Sequence, residues 1–359
     1  MAGKTKLVID IGKTNIKLLE ASMEEGKINV KNFSIIPTPR GSFADEMIVE
    51  DNTIAEEITK ERKNKGFTAT DAYVVISGDK IITREVILPK VPEKELNKIV
   101  RYEVEQYFPV DLSNYIVDYR VLNEVSIEDE TKYKIYVAAA PEKMVESVIT
   151  IAKQCKLYIE VVDIMGNVLS KLLTIEQSVN NSIVQEGNSV AIIDLGATYS
   201  YIVINCLGVF QFGRGVWSGS SQITDVIASA LGIDMSEAER IKIEKGERLI
   251  KDDGIGLEFG GNTKILVRDI SKVLNSLITD ISKIIEYYQS RNPNNPVTKI
   301  YLTGGGANLG GICDFFKSSI NVETEILKDF KCIKDNSKKN IGESVTFFTK
   351  VLGTIIRLK

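Results

Sequence analysis

A short pattern of residues suited to phosphate binding occurs twice in this sequence. Ile-Asp-Ile-Gly-Lys-Thr spans residues 9–14, and Ile-Asp-Leu-Gly-Ala-Thr spans residues 193–198. In each copy the glycine lets the backbone approach a ligand closely, the turn amides can hold phosphate oxygens, and the threonine adds a hydroxyl group. The carboxylate can hold Mg²⁺ through water. The repeated pattern therefore predicts two phosphate loops that face one cleft.

A third glycine turn follows late in the chain. The segment Tyr-Leu-Thr-Gly-Gly-Gly-Ala-Asn (301–308) ends a strand pattern and precedes a helical pattern with apolar residues at Leu309, Ile312 and Phe316. Three glycines allow a flat base to lie against bare backbone, and a helix N-terminus favours a nearby anion. Such turns are common in α/β folds, and this one alone would be weak evidence. It becomes informative because it follows the two Asp-Gly-Thr segments.

Strand patterns flank both Asp-Gly-Thr segments. Apolar and β-branched residues at 6–11 and 16–21 predict a hairpin, and the same arrangement recurs at 190–205. An ordinary hairpin would explain one copy, but structure alone does not require Asp, Gly and Thr in the same register twice. The duplication predicts two similar lobes with the cleft between them.

The absence of histidine excludes several classes of chemistry. A chain without His cannot contain a Ser-His-Asp triad, a Cys-His dyad or a His-ligated metal of its own. The formal net charge of -4 gives no electrostatic reason to expect nucleic acid, and four cysteines without a CxxC pair predict reduced thiols. With no leader pattern and no apolar stretch of about 18–20 residues, a cytoplasmic location is expected.

Together the three segments resemble the nucleotide motifs of the actin-like ATPase superfamily, which includes actin, the Hsp70 chaperones, sugar kinases and the cell-division protein FtsA. The resemblance implies an α/β fold of two lobes, each a mixed sheet flanked by helices, with an inserted α+β subdomain like subdomain 1C of FtsA in the first lobe. The expected boundaries are 1–188 for the first lobe with the insert at about 81–156, 189–344 for the second lobe with a small helical and β subdomain at about 222–268, and 345–359 for a C-terminal helix returning to the first lobe.

Within this superfamily the insert is similar to that of the PilM family, cytoplasmic actin-like proteins of type IV pilus assembly. Residues 82–122 have that family's Leu-Pro step, acidic helix face, Phe-Pro turn and Asp-Tyr strand. The resemblance implies an adaptor that binds Mg·ATP between its lobes and the N-terminal cytoplasmic tail of an inner-membrane PilN-like protein. It leaves open contacts with the pilus motor ATPase or a platform protein, and self-association. The protein would then lie at the inner face of the membrane through its partners.

The motifs and the resemblance together give a set of site residues. Asp10, Asp194 and Asp163 are the expected catalytic residues, and Asp10 and Asp194 are also the expected metal ligands. In the family pattern Glu239 meets the ribose hydroxyls and Lys242 lies by the adenine, although an i,i+3 pair on a solvated helix would also explain these two residues. The expected nucleotide-binding residues are Gly12, Lys13, Thr14, Asn15, Gly196, Ala197, Thr198, Glu239, Lys242, Gly304, Gly305, Gly306 and Asn308.

Two features of the pattern leave alternatives open. Lys13 could pair with a phosphate or simply face water. PilM-like sequences commonly carry an acid shortly after the Val-Asp step, and here Met165 stands at that position, with Asp163 and Asn167 nearby. We therefore expect tight Mg·ATP binding with slow or partner-dependent hydrolysis.

Two other members of the superfamily provide competing interpretations. A sugar-type kinase needs a general base for its acceptor hydroxyl, and the Asn-Asp pair that such kinases usually carry is not visible. An FtsA-like filament protein would use residues 344–359 as an amphipathic membrane helix. We expect instead that this segment is a core helix, because no flexible linker separates it from the body of the protein.

Overall fold

The computed structural model describes residues 3–108, 111–175, 178–180, 182–183, 188–251 and 263–358. In chain order the strands are β1 (Lys6–Ile11), β2 (Asn15–Glu24), β3 (Lys27–Pro37), β4 (Phe43–Ala44), β5 (Met47–Ile48), β6 (Asp71–Ile76), β7 (Ile82–Pro89), β8 (Tyr115–Ile127), β9 (Glu130–Pro141), β10 (Tyr158–Ile164), β11 (Ser178–Val179), β12 (Ser182–Ile183), β13 (Ser189–Leu195), β14 (Ser200–Cys206), β15 (Val209–Val216), β16 (Val297–Thr303), β17 (Glu323–Ile326) and β18 (Ile333–Asp335). The helices are α1 (Asp51–Lys65), α2 (Glu93–Tyr107), α3 (Glu142–Gln154), α4 (Met165–Ile175), α5 (Ser221–Leu231), α6 (Met235–Lys251), α7 (Thr263–Arg291), α8 (Ile312–Ile320) and α9 (Val345–Ile355), with short 3-10 turns at Leu112–Asn114, Gly305–Asn308 and Ile341–Ser344.

Two mixed sheets dominate the described residues, and each is built around one Asp-Gly-Thr hairpin. The first sheet has the order β10-β6-β1-β2-β3-β18, and the second has the order β15-β14-β13-β16-β17. In both, the strand carrying the Asp pairs antiparallel with the next strand and parallel with a later one. The predicted duplication of the hairpin is therefore confirmed. We call the parts built on these sheets the first and second lobes.

The insert forms its own small sheet, with the order β7-β9-β8. Its apolar face packs on α2 through a cluster that includes Val86, Val104 and Val137. Helix α3, which the predicted boundary of 81–156 included, instead packs with α1 and the first sheet, so the separately packed part of the insert ends with β9. Part of the predicted 222–268 subdomain, residues 252–262, lies outside the described residues.

The closing helix α9 is a core element. Every residue of α9 is buried except Phe347 and Lys350. At its closest approach to α4, a Cβ added to Gly353 would lie 2.2 Å from the carbonyl oxygen of Val168, so only glycine fits there. Because no apolar face of α9 is left to enter a bilayer, the structure favours the expected core packing over an amphipathic membrane helix. No described helix is both long and apolar enough to cross a membrane.

Candidate functional site

A cleft of about 550 Å³ lies between the lobes. This volume is within the range of small-molecule and cofactor sites. The first lobe contributes the loop after β1, the second lobe contributes the loop after β13 and the glycine turn after β16, and α9 contributes a third wall. Every residue of the predicted site lines the cleft except Asp10 and Asp163.

The loop after β1 is a tight turn fixed by neighbouring strands. The amide of Gly12 donates to the carbonyl of Asn15 at 3.1 Å, and the Thr38 hydroxyl donates to the carbonyl of Gly12 at 2.6 Å. Lys13, for which the sequence left two interpretations, forms an ion pair with Glu46. The turn is thus pre-formed, as a phosphate loop requires.

The loop after β13 is held by the start of α5. The amides of Ser220 and Ser221 donate to the carbonyls of Gly196 and Ala197 at 2.9 and 2.8 Å. A Cβ on Gly196 would lie 2.3 Å from the carbonyl oxygen of Tyr199, so the turn is too tight for a side chain. This loop therefore faces the first one across the cleft with its backbone uncovered.

The glycine turn after β16 is joined to both the second Asp and α9. Gly304 has φ of 82°, and its amide donates to the Thr346 carbonyl at 3.0 Å. A Cβ there would lie 2.6 Å from the Asp194 carboxylate, whereas a Cβ on Gly305 would meet only the Phe347 ring at 3.4 Å. Asn308 donates to the Thr346 hydroxyl at 3.0 Å. The need for glycine at 304 is thus steric, and Gly305 is the position open to a flat ligand.

Glu239 and Lys242 on α6 form a 2.7 Å ion pair beside the cleft. Only 8% of the Lys242 side chain is exposed, and its ammonium also donates to the Thr224 hydroxyl at 3.0 Å and the Ser220 carbonyl at 3.2 Å. The lysine of a fully solvated i,i+3 pair would not be buried in this way, whereas 42% of the Glu239 side chain is exposed. The pair is part of the cleft wall, with the exposed side chain of Ile243 next to it.

Asp10 lies near the end of β1, next to the loop that follows this strand. It is 1% exposed, and its Oδ2 lies 3.1 Å from the Lys17 ammonium and 3.0 Å from the Lys350 ammonium. Burial opposes ionisation, but Lys17 and Lys350 hold the pKa of Asp10 below its ordinary value. Burial raises the pKa of Asp194, which is 4% exposed, while Lys350 opposes the rise.

The two aspartates fit a magnesium site that is completed by a ligand. Asp10 Oδ1 is buried and has no hydrogen-bond partner among the described residues, so it is an acceptor without a donor. The described ranges contain no group of three or more His, Cys, Asp or Glu residues placed to hold a metal ion. Mg²⁺ commonly binds through one or two carboxylates, with water and substrate phosphates as its other ligands. Asp10 and Asp194 suit that mode.

Asp163 is not where the prediction required it. Its carboxylate accepts from Lys171 at 2.7 Å, from the Asn167 amide group at 2.7 Å and from the Ile164 backbone amide at 2.8 Å. It does not line the cleft formed by the described residues, whereas Met165 does. The reason is that α4 begins just after Asp163 and carries a buried lysine that turns the carboxylate away from the cleft. The structure does not support a catalytic role for Asp163.

Among the cleft residues that sequence reasoning missed are three with side chains suited to a ligand, Lys17, Phe347 and Lys350. Lys17 could have been found, because it lies directly opposite Asp10 in the β1–β2 hairpin. The two α9 residues carry no local signal, since nothing in the order of residues shows that the last helix crosses to the cleft.

Comparison with known proteins identifies a family for the sequence and related folds for the structure. A family model described as type IV pilus assembly protein PilM matches residues 8–345. A solved structure of a PilM-PilN type IV pilus biogenesis complex aligns with a TM-score of 0.82 and 22% identity, covering 98% of this chain and 97% of that one. The structure of the ethanolamine utilization protein EutJ of Carboxydothermus hydrogenoformans aligns with a TM-score of 0.56 and 15% identity, covering 98% of this chain and 89% of that one. The structure of MreB5 of Spiroplasma citri bound to AMPPNP aligns with a TM-score of 0.52 and 11% identity, covering 98% of this chain and 95% of that one. These likenesses establish the actin-like fold.

Proposed function

Because the chain belongs to the family of the type IV pilus assembly protein PilM, we propose that it is an ATP-binding adaptor of type IV pilus assembly. It binds Mg·ATP between its lobes and the N-terminal cytoplasmic tail of an inner-membrane PilN-like protein. It acts in the cytoplasm and reaches the membrane through that partner. The observation that carries the nucleotide part is the convergence of both Asp-Gly-Thr loops and the glycine turn on one cleft.

Each part of the cleft has a role in this proposal. The backbone amides after β1 and β13 and the ammonium of Lys17 hold the phosphate chain. Asp10 and Asp194 would hold Mg²⁺, which would supply positive charge next to the phosphates. Glu239 and Lys242 serve the ribose and the adenine, and the base lies against Gly305.

The cleft is better equipped for binding than for hydrolysis. Asp163 is engaged by Lys171, and the apolar Met165 lines the cleft at the position where an acid was expected. Phosphoryl transfer to water needs a group that orients the attacking water. We therefore propose slow or partner-dependent turnover.

The insert is the proposed docking region for the partner's tail, and it contacts both lobes. Tyr136 of β9 packs on Phe210 of β15 with ring centroids 4.4 Å apart, and Lys134 donates to Gln211 at 3.3 Å. Closure of the lobes on a nucleotide would therefore shift contacts at the base of the insert. Since two ligands that favour different arrangements of one molecule affect each other's affinity, nucleotide and partner binding are expected to be coupled.

Saturating Mg·ATP is expected to change the affinity of the full chain for a labelled peptide of the PilN N-terminal tail by about fivefold or more. Fluorescence anisotropy titrations with and without nucleotide measure this change. Asp194→Ala is the matched control, because it should bind the peptide like the nucleotide-free protein and should not respond to ATP. The adaptor role would be contradicted if the peptide did not bind, or if its affinity were the same with and without Mg·ATP.

A further inference from the structure

Glu46 is an acidic residue inside a cleft that is proposed to bind a polyanion. It lines the cleft, and only 11% of its side chain is exposed. Its carboxylate forms an ion pair with the ammonium of Lys13, which belongs to the loop after β1. Phosphates that enter this end of the cleft would therefore meet a negative charge, and they would find the nearby ammonium already occupied. Since like charges repel strongly where solvent is scarce, Glu46 opposes the proposed ligand.

The turn that carries Glu46 is unfavourable for the residues that form it. Asp45 and Glu46 join β4 to β5, and their φ values are 45° and 64°. A two-residue hairpin turn with positive φ at both positions favours Asn-Gly or Asp-Gly, because other side chains are strained there. Glycine at position 46 would relieve the strain but would remove the carboxylate from the cleft. Strain of this kind collects at functional positions, so it indicates a role for the Glu46 side chain.

The segment that leads into this hairpin is tied to the first phosphate loop. The Thr38 amide donates to the Thr14 carbonyl at 2.9 Å, and the Thr38 hydroxyl donates to the Gly12 carbonyl at 2.6 Å. These bonds keep the hairpin close to the loop that carries Lys13. The Lys13 side chain is long and 30% exposed, so its ammonium can turn towards another anion without a change in the backbone.

We propose that Glu46 sets the affinity of the cleft for phosphate-bearing ligands by competing with them for Lys13. Until a nucleotide binds, the carboxylate holds the ammonium. When the phosphate chain enters, the ammonium moves from Glu46 to the phosphates, and the uncompensated carboxylate stays close to them. Both effects weaken binding, and both require a ligand that carries phosphate. This inference rests on the proposed nucleotide-binding function.

Glu46→Gln is expected to lower the dissociation constant for ATP by about tenfold or more, measured by calorimetry on the full chain in excess Mg²⁺. Adenosine has no phosphate, so its affinity, measured by competition with a labelled ATP, should change by less than about twofold. Adding Lys13→Gln to Glu46→Gln should remove most of the gain for ATP, because the released ammonium is then missing.

Asp45→Asn is the matched control, since it removes the other carboxylate of the same turn. Asp45 is exposed and is not among the described residues that line the cleft. Its substitution changes the net charge by the same amount and should leave the affinity for ATP within about twofold of the natural value, because exposed charges are screened. If Glu46→Gln does not fold, Glu46→Gly should show the gain instead, since glycine accepts the positive φ.

The proposal for Glu46 would be overturned if removal of its carboxylate left the affinity for ATP unchanged or made it weaker. An equal gain in Asp45→Asn would also overturn it, because a distant charge would then explain the effect. So would a gain for adenosine as large as that for ATP, or a full gain in the double variant with Lys13→Gln. If neither the natural protein nor Glu46→Gln bound ATP, the proposed function itself would be refuted.

Discussion

Replacing Lys171 by methionine is expected to lower the free energy of unfolding by about 3–5 kcal/mol, the usual result of removing one partner from a buried ion pair. Lys171 and Asp163 lie 2.7 Å apart, with 3% and 6% of their side chains exposed. The same ammonium donates to the Ile356 carbonyl at 2.7 Å, so the substitution also removes a hydrogen bond between α4 and the residue that follows α9. Burial lowers the pKa of Lys171 and Asp163 opposes this, as expected for a charge held in place by its partner.

Urea unfolding of Lys171→Met measures this effect. The control is Lys272→Met, because Lys272 and Asp269 also lie 2.8 Å apart but are 66% and 31% exposed. An exposed pair of this kind contributes about 0–1 kcal/mol. The double variant Lys171→Met with Asp163→Asn should recover part of the loss, since the uncompensated carboxylate is gone. If Lys171→Met and Lys272→Met lowered the free energy of unfolding by the same small amount, the proposed stabilisation of Asp163 by Lys171 would be wrong.

Gly304→Ala is expected to reduce the affinity for Mg·ATP by about a hundredfold or more and to destabilise the fold by about 3 kcal/mol. Alanine is strained at φ of 82°, and its Cβ would lie 2.6 Å from both the Asp194 carboxylate and the Leu195 carbonyl oxygen. These neighbours belong to a central strand and cannot move aside without displacing the second phosphate loop. The substitution should therefore damage the cleft and the fold together.

Gly305→Ala is the matched comparison, one residue away. At Gly305 a Cβ would meet only the ring of Phe347, at 3.4 Å, and the backbone is not in the left-handed region. Its free energy of unfolding, measured by thermal denaturation, should stay within about 0.5 kcal/mol of that of the natural protein. The added methyl group faces the ligand, so ATP binding should still become weaker. The interpretation of the glycine turn would be wrong if both variants lost the same stability.

The parts of the site that could be predicted are those formed by residues close together in the sequence. The two hairpins and the glycine turn were found because their residues are consecutive and their chemistry is local. Asp163 was predicted to be catalytic but does not line the cleft, because its position in the sequence does not determine the direction of its carboxylate. Its direction is set by Lys171 and by the chain end near Ile356, which lies far away in sequence.

The fold was predicted from the family resemblance of the three motifs, and details that depend on packing between distant elements were not predicted. The family resemblance implied the insert, but the end of its separate packing at β9 depends on which core accepts α3. The position of α9 against α4 depends on the fit of Gly353 to Val168, which no pattern within either helix reveals. For the same reason Lys350 could not be assigned to the cleft from its own neighbourhood.

Calorimetric titration with Mg·ATP, followed by chromatography of the recovered nucleotide, tests the central claim most directly. The intact chain is expected to bind ATP and to return most of it unhydrolysed. Asp194→Ala should bind at least about a hundredfold more weakly, because it removes one of the two carboxylates proposed to hold Mg²⁺. Absence of binding to the intact chain, or equal binding by both proteins, would contradict the assignment of the cleft as a nucleotide site.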